Sequence, residues 1–292
     1  MSEAPFHDPI TAALAEDLGS GDVTSEYFVE PDRVAAAVMV ARQPCTLAGV
    51  EIARAIFLRV DPSVDVRVLK SDGAHLQNGD YVLRVDGRAR SVLAAERVAL
   101  NFVQRLSGIA TLTARYVAAV AGTGAKILDT RKTTPGLRLL EKAAVRAGGG
   151  TNHRIGLHDM VLVKDNHLVG AHDIQALRDA IDRVRAARPG IRIELEADRL
   201  EQVAAFLTLD HVDVILLDNM TPEEMSKAIA LRAQLGRARV AYEASGGVNL
   251  STVRAIAETG VEMISVGAVT HSAVAVDFGL DFLPETPAPS GA

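Results

Sequence analysis

The chain has 292 residues, of which 48% are hydrophobic and 23% charged, a composition typical of a globular protein with one large domain or two ordinary ones. Its single cysteine, Cys45, excludes a disulfide framework or a thiolate zinc cluster within the chain, and we expect a small buried side chain there. A net charge of −6 without tryptophan argues against a nucleic-acid partner, and no apolar stretch approaches the ~20 residues that span a bilayer, so we expect a cytoplasmic protein.

The first third of the chain predicts a mixed α and β domain. Residues 8–19 have helical spacing, and residues 32–49 and 65–87 have the β-branched character of an antiparallel layer with hairpins, one of them turning at Asn78-Gly79. A long helix is predicted over residues 91–122. We therefore expect a sandwich-like α+β domain over 1–112, joined by the last residues, 274–292.

From Gly124 onward the pattern changes to repeated βα units. Short aliphatic runs end in polar residues, are followed by helical segments, and recur at intervals of 22 to 35 residues, which suits a strand, a crossover helix and a turn. This pattern predicts an α/β fold class, with a parallel βα barrel of six or seven strands over 113–273. The strand runs are "AKILDTRK", "DMVLVKDNH", "IRIELEAD", "VDVILLDN", "RVAYEASGG" and "EMISVGAVTHS".

Positive charge is concentrated where the barrel begins. Residues 126–167 contain eight Lys and Arg against four acids, a net charge of +4 that leaves −10 for the rest of the chain. Arg138, Lys142 and Arg146 share one face of a predicted helix, which is equally typical of a solvated surface and of an anion site. Three further cations lie at predicted strand ends, where burial without an anion would be costly, so an anion site is favoured for them; they are Arg131, Lys132 and Lys164.

Two carboxylates, Glu196 and Asp218, end adjacent predicted strands. They could neutralise the cations across the barrel, hold sugar hydroxyls, or approach a hard cation such as Mg²⁺, and these roles do not exclude one another. No spacing of histidines indicates zinc.

Glycine-rich turns follow the last two predicted strands, which is the usual place of a phosphate site in a βα barrel. The turns are Ser245-Gly246-Gly247 and Val266-Gly267-Ala268, and His271 one turn later is a candidate phosphate contact. His153 fits an anion site and a packing role equally well.

Taken together, several segments resemble the quinolinate phosphoribosyltransferase family. They are "EDLGSGDVTS", "ERVALNFVQRLSGIAT", "DTRKTTPGLRLLEKAAVRAGGGTNHRIGLHDMVLVKDNH", "IELEAD", "ILLDNM", "EASGGV" and "TGVEMISVGAVTHS". The resemblance extends from about Asp8 to Asp281, and its long central motif is highly specific. It implies conversion of quinolinate and phosphoribosyl diphosphate, with Mg²⁺, into nicotinate mononucleotide, diphosphate and CO₂, a step of NAD biosynthesis.

The resemblance also implies roles for individual residues. Lys132, Glu196 and Asp218 would be catalytic, with the two carboxylates near the ribose and Mg²⁺ carried by the substrate diphosphate; no organic cofactor is implied. A homodimer or larger homo-oligomer is implied, in which Arg97 enters the neighbouring subunit's site. The substrate-binding set is Arg97, Thr130, Arg131, Lys132, Arg138, His153, Arg154, Lys164, Glu196, Asp218, Ser245, Gly246, Gly247, Val266, Gly267, Ala268 and His271.

Two other functions compete with this one. A lysine at a strand end, Lys164, together with a phosphate site could belong to a Schiff-base aldolase. A paralogous family associated with molybdenum transport shares the architecture without this activity, but it departs from the "VKDNH" stretch that is intact here as Val163–His167.

Overall fold

The structure, a computed structural model, describes residues 8–164 and 174–284. The described chain divides into two compact units. One contains residues 8–112, 134–149 and 273–284, and the other contains residues 113–133 and the described part of 150–272. None of the described helices is both long enough and apolar enough to cross a membrane.

The first unit is built on a four-stranded antiparallel sheet in the order β12-β1-β5-β3. Strand β1 is central and long, and its second half is completely buried, which explains its run of Val, Met and Ala. β12 pairs with β1 along its whole length, so the chain after residue 274 returns to the N-terminal sheet. The strands of this unit are Val34–Ala41 (β1), Cys45–Thr46 (β2), Asp65–Val68 (β3), His75–Leu76 (β4), Tyr81–Arg88 (β5) and Phe278–Phe282 (β12).

The expected hairpin at Asn78-Gly79 is wrong in its pairing, although the turn itself forms. Gly79 has a φ of +91°, and the Asp80 N–H donates to the Gln77 carbonyl at 3.2 Å. The strands on either side belong to different sheets, because β4 pairs with β2 and β5 pairs with β1 and β3. The turn therefore moves the chain from one sheet to the other.

Helices surround this sheet. The α1 helix begins at an Asp8 cap, whose side chain accepts the Ile10 N–H at 3.1 Å and whose ion pair with Arg59 lowers the pKa of Asp8 to about 2. Cys45 is buried as expected, and burial raises the pKa of its thiol to about 11. The helices are Pro9–Leu18 (α1), Val23–Phe28 (α2), Val50–Val60 (α3), Ala89–Ala119 (α4), which continues into the second unit, and Arg138–Ala147 (α5).

The segment 134–149, which the sequence analysis assigned to the barrel domain, groups with the first unit instead. Glu141 of α5 is fully buried and accepts hydrogen bonds from the Arg105 Nη2 at 2.9 Å, from the Thr134 N–H at 3.1 Å and from the Thr134 Oγ1 at 2.7 Å. A buried carboxylate with these donors ties the start of the segment and its helix to α4.

The second unit is a barrel-like parallel sheet of six strands among the described residues, in the order β6-β11-β10-β9-β8-β7. This confirms the predicted α/β class and parallel barrel. β9 is almost entirely buried, as expected of a parallel strand covered on both faces. An isolated parallel bridge between Leu128 and Thr151 adds to the β6 edge. The strands are Lys126–Leu128 (β6), Val161–Val163 (β7), Ile193–Ala197 (β8), Val214–Asp218 (β9), Ala241–Ser245 (β10) and Met263–Ser265 (β11).

Crossover helices connect these strands. The helix between β10 and β11 begins at Val253, because Asn249 and Thr252 make side-chain hydrogen bonds that form turns over residues 249–252. Thr221 and Glu224 form a capping box that starts α8. The helices are Ile174–Ala187 (α6), Leu200–Phe206 (α7), Pro222–Gln234 (α8), Val253–Glu258 (α9) and Ala268–His271 (α10).

Candidate active site

The polar residues singled out from the sequence lie at the carboxyl ends of the barrel strands. Asp218 and Ser245 are the last residues of β9 and β10 and lie opposite each other in register. Lys164 directly follows β7, and Val266 directly follows β11. Because the strands are parallel, these positions share one edge of the sheet, where active sites of βα barrels are found.

Glu196 forms an ion pair with Lys164 at this edge. It is the fourth residue of β8, and its side chain is nearly buried while that of Lys164 is half exposed. Mutual neutralisation, one of the roles left open by the sequence, is therefore present for this pair.

Asp218 is oriented by its neighbour Asn219, a residue that sequence reasoning missed. The Asn219 Nδ2 donates to the Asp218 Oδ2 at 2.7 Å, and the Asn219 N–H donates to the Ser245 carbonyl at 2.9 Å. Asn219 has a φ of +54°, a conformation that asparagine tolerates better than most residues. The signal in the sequence was an Asp-Asn pair at a strand end, opposite a Ser-Gly-Gly turn.

Gly246 is packed directly against Asn219. Its φ is +91°, and a Cβ there would lie 2.5 Å from the Asn219 Cγ and 2.8 Å from the Asn219 backbone nitrogen. Gly247, in contrast, has a φ of +60° and nothing within 4 Å of an added Cβ. The first glycine is thus needed for close approach, and the second leaves open space beside the backbone.

The second glycine turn brings three predicted residues together. A Cβ on Gly267 would lie 3.0 Å from the His271 Nε2 and 3.1 Å from the Lys132 Cδ. The Thr270 Oγ1 also donates to the Lys132 carbonyl at 2.7 Å, and the Val266 N–H donates to the Leu128 carbonyl at 2.9 Å. A lysine, an exposed histidine and a glycine turn therefore form one group beside β6, a set suited to phosphate oxygens.

Buried Asp129 joins the two segments that carry Arg131 and Arg154. It follows β6 and accepts hydrogen bonds from the Asn152 Nδ2 at 2.6 Å and from the His153 N–H at 2.8 Å. The pKa of Arg154 is lowered, first by burial and then by the charge of Arg131. The Thr130 Oγ1 accepts the Lys132 N–H at 3.0 Å and shapes the same turn.

His153 lies in the barrel interior between two buried glutamates. Its Nε2 is 3.2 Å from the Glu194 Oε2 and 3.3 Å from the Glu243 Oε2, with the side chains 9%, 1% and 2% exposed. Burial alone would lower the pKa of His153, but its hydrogen bonds with both glutamates act in the opposite direction and raise it. Burial, followed by the charge of Glu243, raises the pKa of Glu194 against the opposing hydrogen bond from His153.

These three side chains have the composition of a metal site, but the histidine is oriented as a hydrogen-bond donor. Their ligand atoms all lie within 4.8 Å of one another. The Arg154 N–H, however, donates to the His153 Nδ1 at 2.7 Å, so the ring proton is on Nε2 and points at the carboxylates. A metal-bound histidine normally donates from its other ring nitrogen, which here is an acceptor.

A cavity of about 420 Å³ lies on the other side of this cluster. Its walls include residues at the amino ends of the strands, together with His153 and Arg154. The two residues therefore separate this cavity from the carboxyl-end edge. The lining is Gly124, Lys126, Leu128, Thr151, Asn152, His153, Arg154, Met160, Arg192, Glu194, Val214, Ala241, Glu243, Glu262 and Met263.

The remaining predicted cations belong to the first unit. Arg97 is exposed on α4, and Arg138 is the half-buried first residue of α5. The solvated face offered as one explanation for α5 does not hold for Lys142, which is only 1% exposed, although Arg146 is exposed. Residues Asp165–His167 of the "VKDNH" stretch lie outside the described residues.

The chain is similar to known proteins along almost all of its length. Residues 22–107 match the family described as "Quinolinate phosphoribosyl transferase, N-terminal domain", and residues 109–281 match the corresponding C-terminal domain. The chain is 45% identical to the nicotinate-nucleotide pyrophosphorylase [carboxylating] of Mycobacterium leprae, over 96% of this chain and 99% of that protein. It is 41% identical to a mitochondrial quinolinate phosphoribosyltransferase [decarboxylating] of Nicotiana tabacum, over 92% and 79%. The crystal structure of NadC from Streptococcus pyogenes superposes with a TM-score of 0.87 at 38% identity, covering 97% of this chain and 100% of that chain.

Proposed function

The chain belongs to the quinolinate phosphoribosyltransferase family, and on that premise we propose that it converts quinolinate and phosphoribosyl diphosphate into nicotinate mononucleotide, diphosphate and CO₂. The observation that carries the proposal is that buried Asp129, two residues before Arg131, binds Asn152 and the His153 N–H and so holds the segment of Arg154 beside that of Arg131. A dicarboxylate such as quinolinate offers one carboxylate to each guanidinium group.

Quinolinate binding is the task of the cations around Asp129. The planar guanidinium groups of Arg131 and Arg154 suit the two carboxylates; Lys164 follows the end of β7, and His153 follows the Thr151 bridge beside β6. Thr130 contributes the hydroxyl that shapes the turn carrying Arg131. Together these groups orient the pyridine nitrogen toward the ribose, which is where the protein's contribution to rate begins.

The phosphoribosyl substrate occupies the glycine turns and the two carboxylates. The 5′-phosphate is held by Ser245-Gly246-Gly247, by Val266-Gly267-Ala268 and by His271. Glu196 and Asp218 lie beside the ribose and stabilise the positive charge that develops on the ring as diphosphate departs. Lys132 receives the charge of the leaving group.

Mg²⁺ is expected to travel with the diphosphate, and the oxygen-rich edge at Glu196 and Asp218 is compatible with a hard cation beside them. When bound, it neutralises charge on the diphosphate. The chain's own part in the second half of the reaction is to hold the new mononucleotide. When the C2 carboxyl leaves as CO₂, the electron pair of the broken bond stays on C2, where the adjacent cationic ring nitrogen stabilises it, and C2 then accepts a proton.

We further propose a homodimer or larger assembly in the cytoplasm, with Arg97 completing the neighbouring subunit's site. The exposure of Arg97 on α4 supports this role. The aldolase alternative is not supported, because Lys164 lies in an ion pair with Glu196 rather than in the apolar pocket that activates a Schiff-base lysine.

The direct test is product formation. The purified protein is incubated with quinolinate, phosphoribosyl diphosphate and Mg²⁺, and nicotinate mononucleotide and CO₂ are measured together. We expect equal amounts of both, dependent on Mg²⁺, and no product when nicotinate replaces quinolinate. Absence of nicotinate mononucleotide under these conditions would reject the proposed activity.

A further inference from the structure

The cluster of His153, Glu194 and Glu243 is not explained by substrate contacts alone, since both glutamates are buried below the strand ends. We propose that Glu194 and Glu243 are positioning residues for quinolinate: they hold the Nε2–H of His153 from below and thereby fix its ring and the backbone of Arg154 at the quinolinate subsite. The proposal rests on the proposed function and adds two residues to it.

The contacts of His153 fix the orientation of its imidazole ring. The His153 backbone N–H is fixed on Asp129 at 2.8 Å, its Nδ1 accepts the Arg154 N–H at 2.7 Å, and its Nε2 faces both carboxylates. Every polar atom of His153 except its carbonyl thus has an assigned direction. Loss of either carboxylate would allow the ring to rotate and would disturb the Arg154 backbone N–H that donates to it.

The two glutamates depend in turn on His153 for a hydrogen bond. Within residues 8–164 and 174–284, the Oε1 atoms of Glu194 and Glu243 are buried and accept no hydrogen bond. The shared Nε2–H is therefore central to the placement of both carboxylates. Burial of a carboxylate oxygen without a hydrogen bond costs free energy, which is expected only where the carboxylate has a specific role.

The net charge of the cluster also affects quinolinate binding. Two ionised glutamates beneath a subsite for a dianion would repel it, so the cluster must keep a proton to be compatible with quinolinate. The pKa of Glu194 shifts in this direction: burial first, and then the charge of Glu243, raise it, which favours retention of a proton on the pair of glutamates. Other charged groups face the cluster or Arg154, or line the same cavity. They are Arg131, Arg154, Asp159, Arg192, Lys126, Glu262 and, through the His153 backbone, Asp129.

The test compares Glu243→Gln and Glu194→Gln with Glu262→Gln. Glu262 lines the same cavity but contacts Arg232 and the Tyr242 N–H instead of His153, so its substitution changes the charge equally without touching the cluster. We expect the KM for quinolinate to rise about tenfold or more in the first two variants, with the KM for phosphoribosyl diphosphate within about twofold. Glu262→Gln should leave both values within about twofold.

The pH profile distinguishes positioning from a merely structural role. Because burial and the charge of Glu243 raise the pKa of Glu194, wild-type quinolinate binding should weaken as the pH rises and the pair of glutamates loses its proton. In Glu243→Gln this weakening should begin at lower pH, since the charge of Glu243 no longer raises the pKa of Glu194. Unchanged KM and an unchanged profile in both cluster variants would overturn the inference.

The two proposals fail in different ways. A wild-type protein that makes no nicotinate mononucleotide would reject the proposed function, whereas an active wild type with indifferent Glu194 and Glu243 variants would reject only this inference. If the variants do not fold, calorimetry of quinolinate on the wild type decides. Affinity that does not fall as the pH is raised over the range in which the protein stays folded would then overturn the inference.

Discussion

Replacement of Gly246 by alanine should impair the ribose side of the site far more than replacement of Gly247. An added Cβ at Gly246 would meet the Asn219 Cγ at 2.5 Å and the Asn219 backbone nitrogen at 2.8 Å, and the φ of +91° is itself unfavourable for alanine. Overpacking of this kind costs about 1–3 kcal/mol and a strained backbone about as much again. At Gly247 the Cβ has space, so only a left-handed backbone cost of about 1 kcal/mol remains.

The functional consequence follows from Asn219, which donates to the Asp218 Oδ2. A shift of Asp218 by roughly 1 Å should lower kcat/KM for phosphoribosyl diphosphate on the order of 100-fold. Gly247→Ala should lose less than about tenfold. Steady-state kinetics with each substrate varied, together with thermal unfolding of both variants, would measure this. Equal losses in the two variants would refute the conclusion that Gly246 affects the position of Asp218 through Asn219.

Three further predictions concern the cations and their partners. Arg131→Ala should lose most of its quinolinate affinity in calorimetry while its melting temperature stays within a few degrees, because Arg131 is only half buried; wild-type affinity would reject the subsite. Glu141→Ala should destabilise the chain by about 3–5 kcal/mol in denaturant unfolding, because it removes the partner of Arg105 from a buried ion pair; a change below about 1 kcal/mol would contradict that account. Arg97→Ala and Lys164→Ala, each inactive alone, should regain on the order of a quarter of wild-type activity when refolded together, and no recovery on mixing would exclude Arg97 acting in trans.

The barrel and the identity of its reactive edge could be predicted because both depend on local pattern. Each strand is a short aliphatic run, and the polar residues that end it lie at the same edge in any parallel sheet. The grouping of residues 134–149 with the first unit could not be predicted in this way, because it rests on the contact of Glu141 with Arg105, 36 positions away. Nor could Asn219, whose role depends on the close approach of Gly246 from another strand.

The segment "IELEAD" shows most directly what the sequence concealed. Glu194 and Glu196 are two residues apart on β8, so both point into the barrel and are separated by about 6.6 Å along the strand. The upper carboxylate pairs with Lys164 and the lower one with His153, and β10 repeats the arrangement with Ser245 above Glu243. Periodicity predicts two equivalent inward-facing polar residues on each such strand, and only the residues that approach from other loops decide which one faces substrate and which one supports it. The catalytic edge and the buried residues that support it are therefore successive layers of the same strands. A substitution in the lower layer should alter side-chain positions in the upper layer without any movement of the sheet.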